Sequence, residues 1–126
     1  AEKAADAARD RAAATKALFY VDTLEYLRRG GRVGAAAALV GSALAVKPLL
    51  EIKDGTIVPL EKVRTAAKAL SRLEELAVSR SIAAVKSRLQ RLNPVDGQAT
   101  YNRTFGDLVA LEQRRKSLLE KAARPL

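Results

Sequence analysis

The side chains that most often carry enzyme chemistry are missing or badly spaced in this sequence. The chain has no Cys and no His, which excludes thiol nucleophiles, the usual zinc sites and histidine acid-base catalysis. Glu74 and Glu75 are adjacent, so on a helix they point in different directions and do not form a carboxylate pair. Gly30, Gly31 and Gly34 do not have the spacing of a phosphate-binding loop. We therefore expect no enzymatic activity, no metal and no cofactor.

A large positive charge is the most distinctive feature of the composition. The 126 residues include 23 Lys and Arg against 14 Asp and Glu, which gives a net charge of +9 and a pI near 10.3. Residues 66–92 contain six basic and two acidic side chains, and Arg114, Arg115 and Lys116 follow further along. Such an excess predicts a polyanion partner, either nucleic acid or an acidic protein surface. Solvated helix faces are the commoner reason for a charge run.

Length and hydropathy favour one small domain, or a small domain with an arm. Hydrophobic residues make up 48% of the chain, but only 4% are aromatic and many are alanine, so we expect a thin core. The longest uncharged run, Val33–Val46, is too short to cross a bilayer, which takes about 20 residues. The polar start of the chain does not resemble a signal peptide. These features predict a cytoplasmic protein without a membrane span.

The first 30 residues predict a helix, a strand and a second helix. Residues 2–16 are rich in alanine, which favours a helix whose small side would lie against a sheet. The apolar run Leu18–Val21 is typical of a strand covered on both faces. Asp22 is expected to cap a short helix, with Glu25 completing a capping box. Gly30 is expected to end that helix in a left-handed conformation.

An uncharged helix and a hairpin are predicted next. Gly34–Val46 has small residues on every side and no polar face, so this helix is either buried in the core or part of a pocket wall. Asp54-Gly55 predicts a two-residue turn between strands Leu49–Lys53 and Thr56–Val63. Pro59 lacks an amide donor, which places the second strand at a sheet edge.

Two helices complete the chain. Thr65 is expected to cap a helix over residues 66–92, which Pro94 prevents from continuing. A last helix is expected over residues 98–122, antiparallel to the first because the connection is short. The apolar positions of the first helix change phase near residues 78–81. The two stripes consist of Leu70, Leu73 and Ala77, and of Ile82, Val85, Leu89 and Leu92.

The stretch from Leu18 to Thr65 resembles the C-terminal lobe of the DegV-like fatty-acid-binding proteins of bacteria. Each matching piece is short, and together they are specific. They are V-D-T-L-E-Y-L at Val21–Leu27, G-G-R-V at Gly30–Val33, A-V-K-P at Ala45–Pro48, D-G at Asp54-Gly55 and K-V-R-T at Lys62–Thr65.

This resemblance implies a lobe that holds a fatty acid and presents its carboxylate to a partner fatty-acid kinase. Arg32 and Arg64 match arginines that, in the family, organise the head-group end and the kinase-facing surface; a guanidinium suits this because its donors form a fixed fork. Pairing with an acid such as Asp22 or Glu61 is the alternative for each arginine. The family's preceding lobe has no counterpart here, so we expect weak or absent fatty-acid binding by this chain alone. The apolar wall of the resulting half-pocket would consist of Ala37, Leu39, Val40, Leu44, Leu49 and Leu50.

Residues 79–122 are similar to the extreme C-terminus of actinobacterial-type DNA primase, the helical hairpin that engages the replicative helicase. The matching pieces are K-S-R-L-Q-R-L-N-P at Lys86–Pro94, Y-N at Tyr101-Asn102 and F-G-D-L-V-A-L-E at Phe105–Glu112. The resemblance implies protein docking. The residues that would fill the hairpin seam or anchor the partner are Tyr101, Phe105, Leu108 and Leu111, of which the aromatic residues are expected in the seam.

The sequence therefore predicts an α/β chain of the α+β kind: a sheet of about three strands with packed helices, followed by a long antiparallel helical hairpin. Residues 1–78 would form the partial fatty-acid-binding lobe and residues 79–126 the hairpin, as in a natural or engineered hybrid. Two alternatives stay open, a helicase-interaction module of a primase and a purely structural, self-associating domain. An exposed half-pocket favours a homo-oligomer, and the basic helices leave nucleic acid as a further partner.

Overall fold

The computed structural model describes residues 1–39, 46–95 and 97–124. The chain forms two compact units, a sheet unit (Ala1–Ala69) and a hairpin unit (Leu70–Leu126). The predicted fold class, a small three-stranded sheet with helices and a helical hairpin, is confirmed. In chain order the elements are α1 (Glu2–Ala14), β1 (Ala17–Tyr20), α2 (Glu25–Arg29), a 3₁₀ helix (Gly34–Leu39), β2 (Lys47–Lys53), β3 (Thr56–Val63), α3 (Ala66–Arg91) and α4 (Gln98–Ala123).

The sheet is antiparallel with strand order β1-β2-β3. The predicted turn between β2 and β3 is confirmed: Asp54 and Gly55 have φ of 51° and 73°, the positive values that a tight hairpin turn needs at both central positions. Pro59 lies on the edge strand β3, as predicted, next to an irregularity where Leu49 pairs with Glu61 and Leu50 with Pro59. This β-bulge and the missing amide donor make β3 a poor template for a further strand.

The core of the sheet unit lies between one face of the sheet and the segment that follows α2. Leu24, Val33, Ala36 and Leu50 are buried together. Phe19, Val21, Leu27, Leu39 and Ile57 pack around them. Adjacent strand residues point to opposite faces, so Leu49 faces away from this cluster, and it is also fully buried.

Three local predictions in the sheet unit are wrong. Asp22 does not cap α2, because its carboxylate pairs with Lys47 at 3.0 Å, while Thr23 Oγ accepts the amide hydrogen bond of Glu25. Gly30 has an ordinary helical φ of −77°, and the left-handed residue is Gly31 at 66°. The described part of the uncharged Gly34–Val46 segment is a 3₁₀ helix that ends at Leu39; residues 40–45 lie outside the described residues, and Val46 is not helical.

Two wider packing expectations in this unit also fail. Helix α1 forms as predicted but has no buried residue, so its alanine side does not lie against the sheet. Strand β1 is an edge strand whose Leu18–Tyr20 are half-buried, not covered on both faces. Both expectations assumed that the two faces of the sheet are fully covered. In this unit α1 does not bury any residue and β1 is only half-buried.

In the hairpin unit, α3 and α4 run antiparallel, as predicted. Glu74 early in α3 pairs with Arg114 at 2.7 Å, and Lys86 later in α3 pairs with Glu112 at 2.9 Å. Thr65 Oγ accepts the amide hydrogen bond of Lys68, which confirms the predicted cap of α3. Among the described residues, no helix is both long enough and apolar enough to cross a bilayer.

The buried line of the hairpin unit follows heptad spacing on both helices. On α3 it passes through Glu75, Val78, Ile82, Val85 and Leu89, with intervals of three and four residues. On α4 it passes through Tyr101, Thr104, Leu108, Leu111 and Arg115. The covered face of α3 changes along the helix, in line with the predicted change of phase. Ala69 is buried and Leu73 is half-buried on the side opposite this line, although Leu70 and Ala77 of the predicted first stripe are exposed.

Candidate functional sites

The sheet unit has an open cleft beside the turn that links α2 to the 3₁₀ helix. Its volume is about 460 Å³, and its lining is Arg28, Gly31, Val33, Gly34 and Ala37. One side of the 3₁₀ helix faces the core through Ala36, while the exposed Ala37 faces the cleft. The described part of the uncharged segment therefore packs into the core on one side and lines this cleft on the other, and its role as the wall of a lipid pocket stays a prediction.

Gly34 positions the cleft by a close approach to β3. Its φ is 51°, and a Cβ at this residue would lie 2.6 Å from the backbone oxygen of Ile57. A side chain here would push the 3₁₀ helix away from the strand, since real Cβ atoms do not come this close to a carbonyl. Gly34 is therefore required by packing as well as by backbone conformation.

Arg28, the charged residue that lines the cleft, is already held within α2. Its guanidinium donates two hydrogen bonds to Glu25, at 3.0 and 2.7 Å, and Arg29 donates a third at 2.9 Å. The hydrogen bond from Arg28 is the main reason that the pKa of Glu25 is lowered, and the same bond raises the pKa of Arg28. The charge of Arg28 is therefore already neutralised by Glu25, and Arg28 is not an unoccupied anion-binding group.

Arg32 and Arg64, the two arginines predicted to face a head group or partner, are both exposed. The structure gives neither guanidinium an ion pair or side-chain hydrogen bond among the residues it describes. Asp22, one of the acids considered as a partner, is paired with Lys47 instead. Arg32 lies between two residues that line the cleft, whereas Arg64 follows β3 and does not line it.

Only some of the residues predicted to form the apolar wall lie at the cleft. Ala37 lines the cleft, and Leu39 packs against the core. Leu49 and Leu50 are fully buried on opposite faces of β2, so they do not line one surface; period-two geometry already excluded this. Val40 and Leu44 lie outside the described residues.

The hairpin unit presents a second candidate surface along α4. Tyr101 and Phe105 stack with their ring centroids 6.5 Å apart, and Phe105 and Val109 are each 50% exposed. Phe105 is therefore not in the seam, contrary to prediction, although Tyr101, Leu108 and Leu111 are half-buried there. We name the strip of half-buried Tyr101 with exposed Phe105 and Val109 the aromatic flank.

Thr104 occupies the seam position that was predicted for Phe105. It is 3% exposed, and its hydroxyl donates a 2.8 Å hydrogen bond to the carbonyl oxygen of Thr100. This bond satisfies the hydroxyl inside its own helix, so no partner from α3 is needed. Heptad spacing from Tyr101 and Leu108 was the signal that could have found Thr104.

Glu112 links the helices next to the aromatic flank. It accepts a hydrogen bond from Lys86 at 2.9 Å and pairs with Arg115 at 2.7 Å. The Lys86 hydrogen bond is the main reason that the pKa of Glu112 is lowered, with the charge of Arg115 adding to it.

Comparison with known proteins finds relatives of the DegV type. A sequence model described as an uncharacterised protein of the DegV family matches residues 1–92. A DegV domain-containing protein of Streptomyces coelicolor is 68% identical over 80 residues, which are 64% of this chain and 28% of that protein. Protein DegV of Bacillus subtilis is 52% identical over 61 residues, which are 48% of this chain and 22% of that protein.

DNA primases form the second group of relatives. The DNA primase of Mycolicibacterium smegmatis is 42% identical over 100 residues, 79% of this chain and 15% of that protein. That of Mycobacterium leprae is 54% identical over 54 residues, 43% of this chain and 8% of that protein. The chain spans less than a third of the length of any of these four relatives. No solved structure is significantly similar to it.

The two similarities overlap along the chain. A match over 100 of 126 residues leaves about 26 outside it, so it includes roughly residues 28–99 and overlaps the DegV match. The primase similarity is thus wider than the third of the chain expected from its motifs. The division between residues 78 and 79 stays a prediction.

The prediction that this chain has no enzymatic activity is contradicted. DNA primases are enzymes, and two of them are 42% and 54% identical to parts of this chain. The absence of His and Cys excludes several kinds of catalysis. It does not exclude similarity to enzymes, because parts of this chain are similar to DNA primases.

Proposed function

The chain belongs to the DegV family, and on that premise we propose that its sheet unit contributes one side of a fatty-acid site, with Arg32 facing the carboxylate. The observation that carries this proposal is an exposed guanidinium, without a partner among the described residues, beside an open cleft lined by Val33 and Ala37. Carboxylates are bound most strongly by charge-assisted hydrogen bonds from such a group. The cleft offers an apolar lining for an alkyl chain.

The cleft is open, so the chain alone should bind fatty acid weakly. It spans 28% of the length of its S. coelicolor relative, and we propose that other parts of such a protein complete the pocket. A fatty-acid kinase is the corresponding partner of this unit, in the cytoplasm, with Arg64 on the surface that faces it.

Amide chemical shifts of the labelled chain, titrated with decanoate and with decanol, test this proposal. We expect weak binding, with shifts at Gly31–Ala37 and a preference for the acid over the alcohol. Arg32→Gln should abolish the preference, whereas Arg11→Gln, an exposed substitution on α1, should not. Equal binding of acid and alcohol would overturn the role of Arg32, and tight stoichiometric lipid seen by native mass spectrometry would overturn the half-pocket.

We propose a second function for the hairpin unit, docking to a replicative helicase through the aromatic flank. Similarity to DNA primases supports the kind of partner, and half-exposed Phe105, stacked on Tyr101, supplies the anchor. Large aromatic side chains at the centre of an interface often carry most of its binding energy.

Titration of the chain into an actinobacterial replicative helicase tests the docking proposal. Phe105→Ala should weaken binding by about tenfold or more, as expected for an aromatic hot spot. Leu119→Ala is the matched control, because Leu119 is 48% exposed on the same helix but lies two heptads from Phe105. Equal effects of the two substitutions would contradict a specific anchor at Phe105.

A further inference from the structure

The two ion pairs between α3 and α4 identify two flanks of the hairpin unit. With about 100° per residue, Glu74 and Lys86 lie on opposite sides of the buried line of α3, and Arg114 and Glu112 lie on opposite sides of that of α4. The Glu74–Arg114 pair therefore closes one flank and the Lys86–Glu112 pair the other. Phe105 lies one heptad before Glu112, so the aromatic flank is on the Lys86–Glu112 side.

The Glu74–Arg114 side carries a group of exposed arginines. Arg88 lies two heptads after Glu74 on α3, and Arg103 lies eleven residues, three helical turns, before Arg114 on α4, so both face this side. Arg91 is one turn after Arg88. All three are exposed, and the structure shows no ion pair for them among residues 1–39, 46–95 and 97–124. We name Arg88, Arg91 and Arg103 the cationic flank.

Helix electrostatics explain only part of this group. Arg88 and Arg91 are in the last turn of α3, where the helix dipole favours positive charge. Arg103 is the sixth residue of α4, beyond the first turn in which the dipole acts. Helix electrostatics therefore do not account for a cation at this position.

We propose that the cationic flank binds the phosphodiester backbone of nucleic acid. Three arginines without acidic partners among the described residues complement a row of phosphates, and planar guanidinium groups match phosphate oxygens well. Next to this group the side chains are small: exposed Ala84 lies one turn before Arg88, and exposed Ala110 lies one heptad after Arg103. The aromatic rings are on the other flank, so this surface contacts phosphates without stacking on bases, and binding should show little sequence preference.

This inference goes beyond the docking proposal, because the two surfaces are on opposite sides of the same hairpin unit. Asp107 is the acid that shares the cationic flank, since it lies one heptad before Arg114 and one turn after Arg103. Its carboxylate should repel phosphate. We therefore expect that removing the charge of Asp107 makes the chain bind nucleic acid more tightly.

Fluorescence anisotropy with a labelled 20-base-pair DNA, at 50 and 200 mM salt, tests the proposal. The variant Arg88→Gln, Arg91→Gln, Arg103→Gln should lose at least tenfold in affinity at 50 mM salt. The slope of log affinity against log salt concentration should become less steep by roughly 2 to 3, because each phosphate contact contributes about 0.9 to that slope. Asp107→Asn should bind about twofold more tightly. Circular dichroism should show unchanged helix content, since all four positions are exposed.

A second triple variant, Lys3→Gln, Arg9→Gln, Arg11→Gln on α1, removes the same charge from the sheet unit and is the matched control. It should retain most of the affinity; an equal loss would show that net charge alone drives binding and would overturn the site. Polyglutamate competing as well as DNA would overturn nucleic acid in favour of an acidic protein. Phe105→Ala should leave DNA binding unchanged, so failure of the docking proposal and failure of this one are distinguishable.

Discussion

The two units of this chain are stabilised in different ways. The sheet unit buries Leu49 and Leu50 completely and brings the backbone of the 3₁₀ helix against β3 at Gly34. The hairpin unit has a narrow seam that includes a buried threonine, with ion pairs along both flanks. Close packing should therefore dominate the stability of the sheet unit, while ion pairs should contribute a larger share of the stability of the hairpin unit. The following substitutions test that difference.

Leu50→Ala should have the largest effect. Leu50 is fully buried in the core cluster, and truncation of such a leucine costs about 3 kcal/mol of unfolding free energy. Hydrogen exchange should show loss of protection in β2 and β3, with protection retained between Val78 and Leu89 in α3. Equal loss in both regions would show that the two units unfold as one.

Gly34→Ala should come second, with Gly31→Ala as its control. Both glycines have positive φ, but only Gly34 has a backbone oxygen within 4 Å of the added Cβ. We expect Gly31→Ala to cost roughly 1 kcal/mol from backbone conformation and Gly34→Ala roughly 2 to 3 kcal/mol because of the additional clash. Thermal unfolding followed by circular dichroism gives both values. Similar costs would mean that the approach to Ile57 adds nothing.

Gly106→Ala should act in the opposite direction. Gly106 is inside α4 with open space around its Cα and no need for positive φ. Alanine has a higher helix propensity, so the hairpin unit should gain about 0.5 to 1 kcal/mol in unfolding free energy. Urea unfolding of this variant and of Gly34→Ala should give changes of opposite sign. A destabilised Gly106→Ala variant would indicate packing at this position that the structure does not show.

The smallest expected effect is the pH dependence of the hairpin unit. Because the folded pKa of Glu112 is lowered, its contribution is fully present above the unfolded pKa of about 4.3 and is lost as pH falls through the folded value. Glu112→Gln should be slightly less stable than the parent chain at pH 7 and should converge with it in acid. The two unfolding curves, measured from pH 7 to pH 3, check this. A constant gap between them would mean that the carboxylate charge does not contribute.

Local sequence signals predicted most of the secondary structure. The Asp54-Gly55 turn, the Thr65 cap and the Asn93-Pro94 break placed four elements within a residue or two of their observed bounds. Each of these signals acts between residues close in the chain. The Asp22 cap failed for the opposite reason, because Lys47, 25 residues away, competes for the same carboxylate.

The candidate sites were harder to predict than the fold. Hydrophobicity selected Phe105 for the seam, whereas heptad geometry places Thr104 there, because a threonine can satisfy its hydroxyl within its own helix. The cationic flank was visible only as net charge. The two ion pairs between the helices were needed to assign each arginine to one side of the hairpin unit. Such pairs join residues far apart in the chain, so no local sequence pattern predicts them.

Those two ion pairs also have a consequence for alignment along the helix axes. A slip of α4 by one heptad would move it by about 10.5 Å relative to α3. Phe105 or Leu119 would then take the place of Glu112, and Lys86 would lose its partner. The slip would leave much of the heptad spacing of the buried line matched, so apolar contacts alone discriminate weakly against the shift. The ion pairs on the two sides thus help to fix the axial register of the helices, which the repeating buried line specifies only weakly.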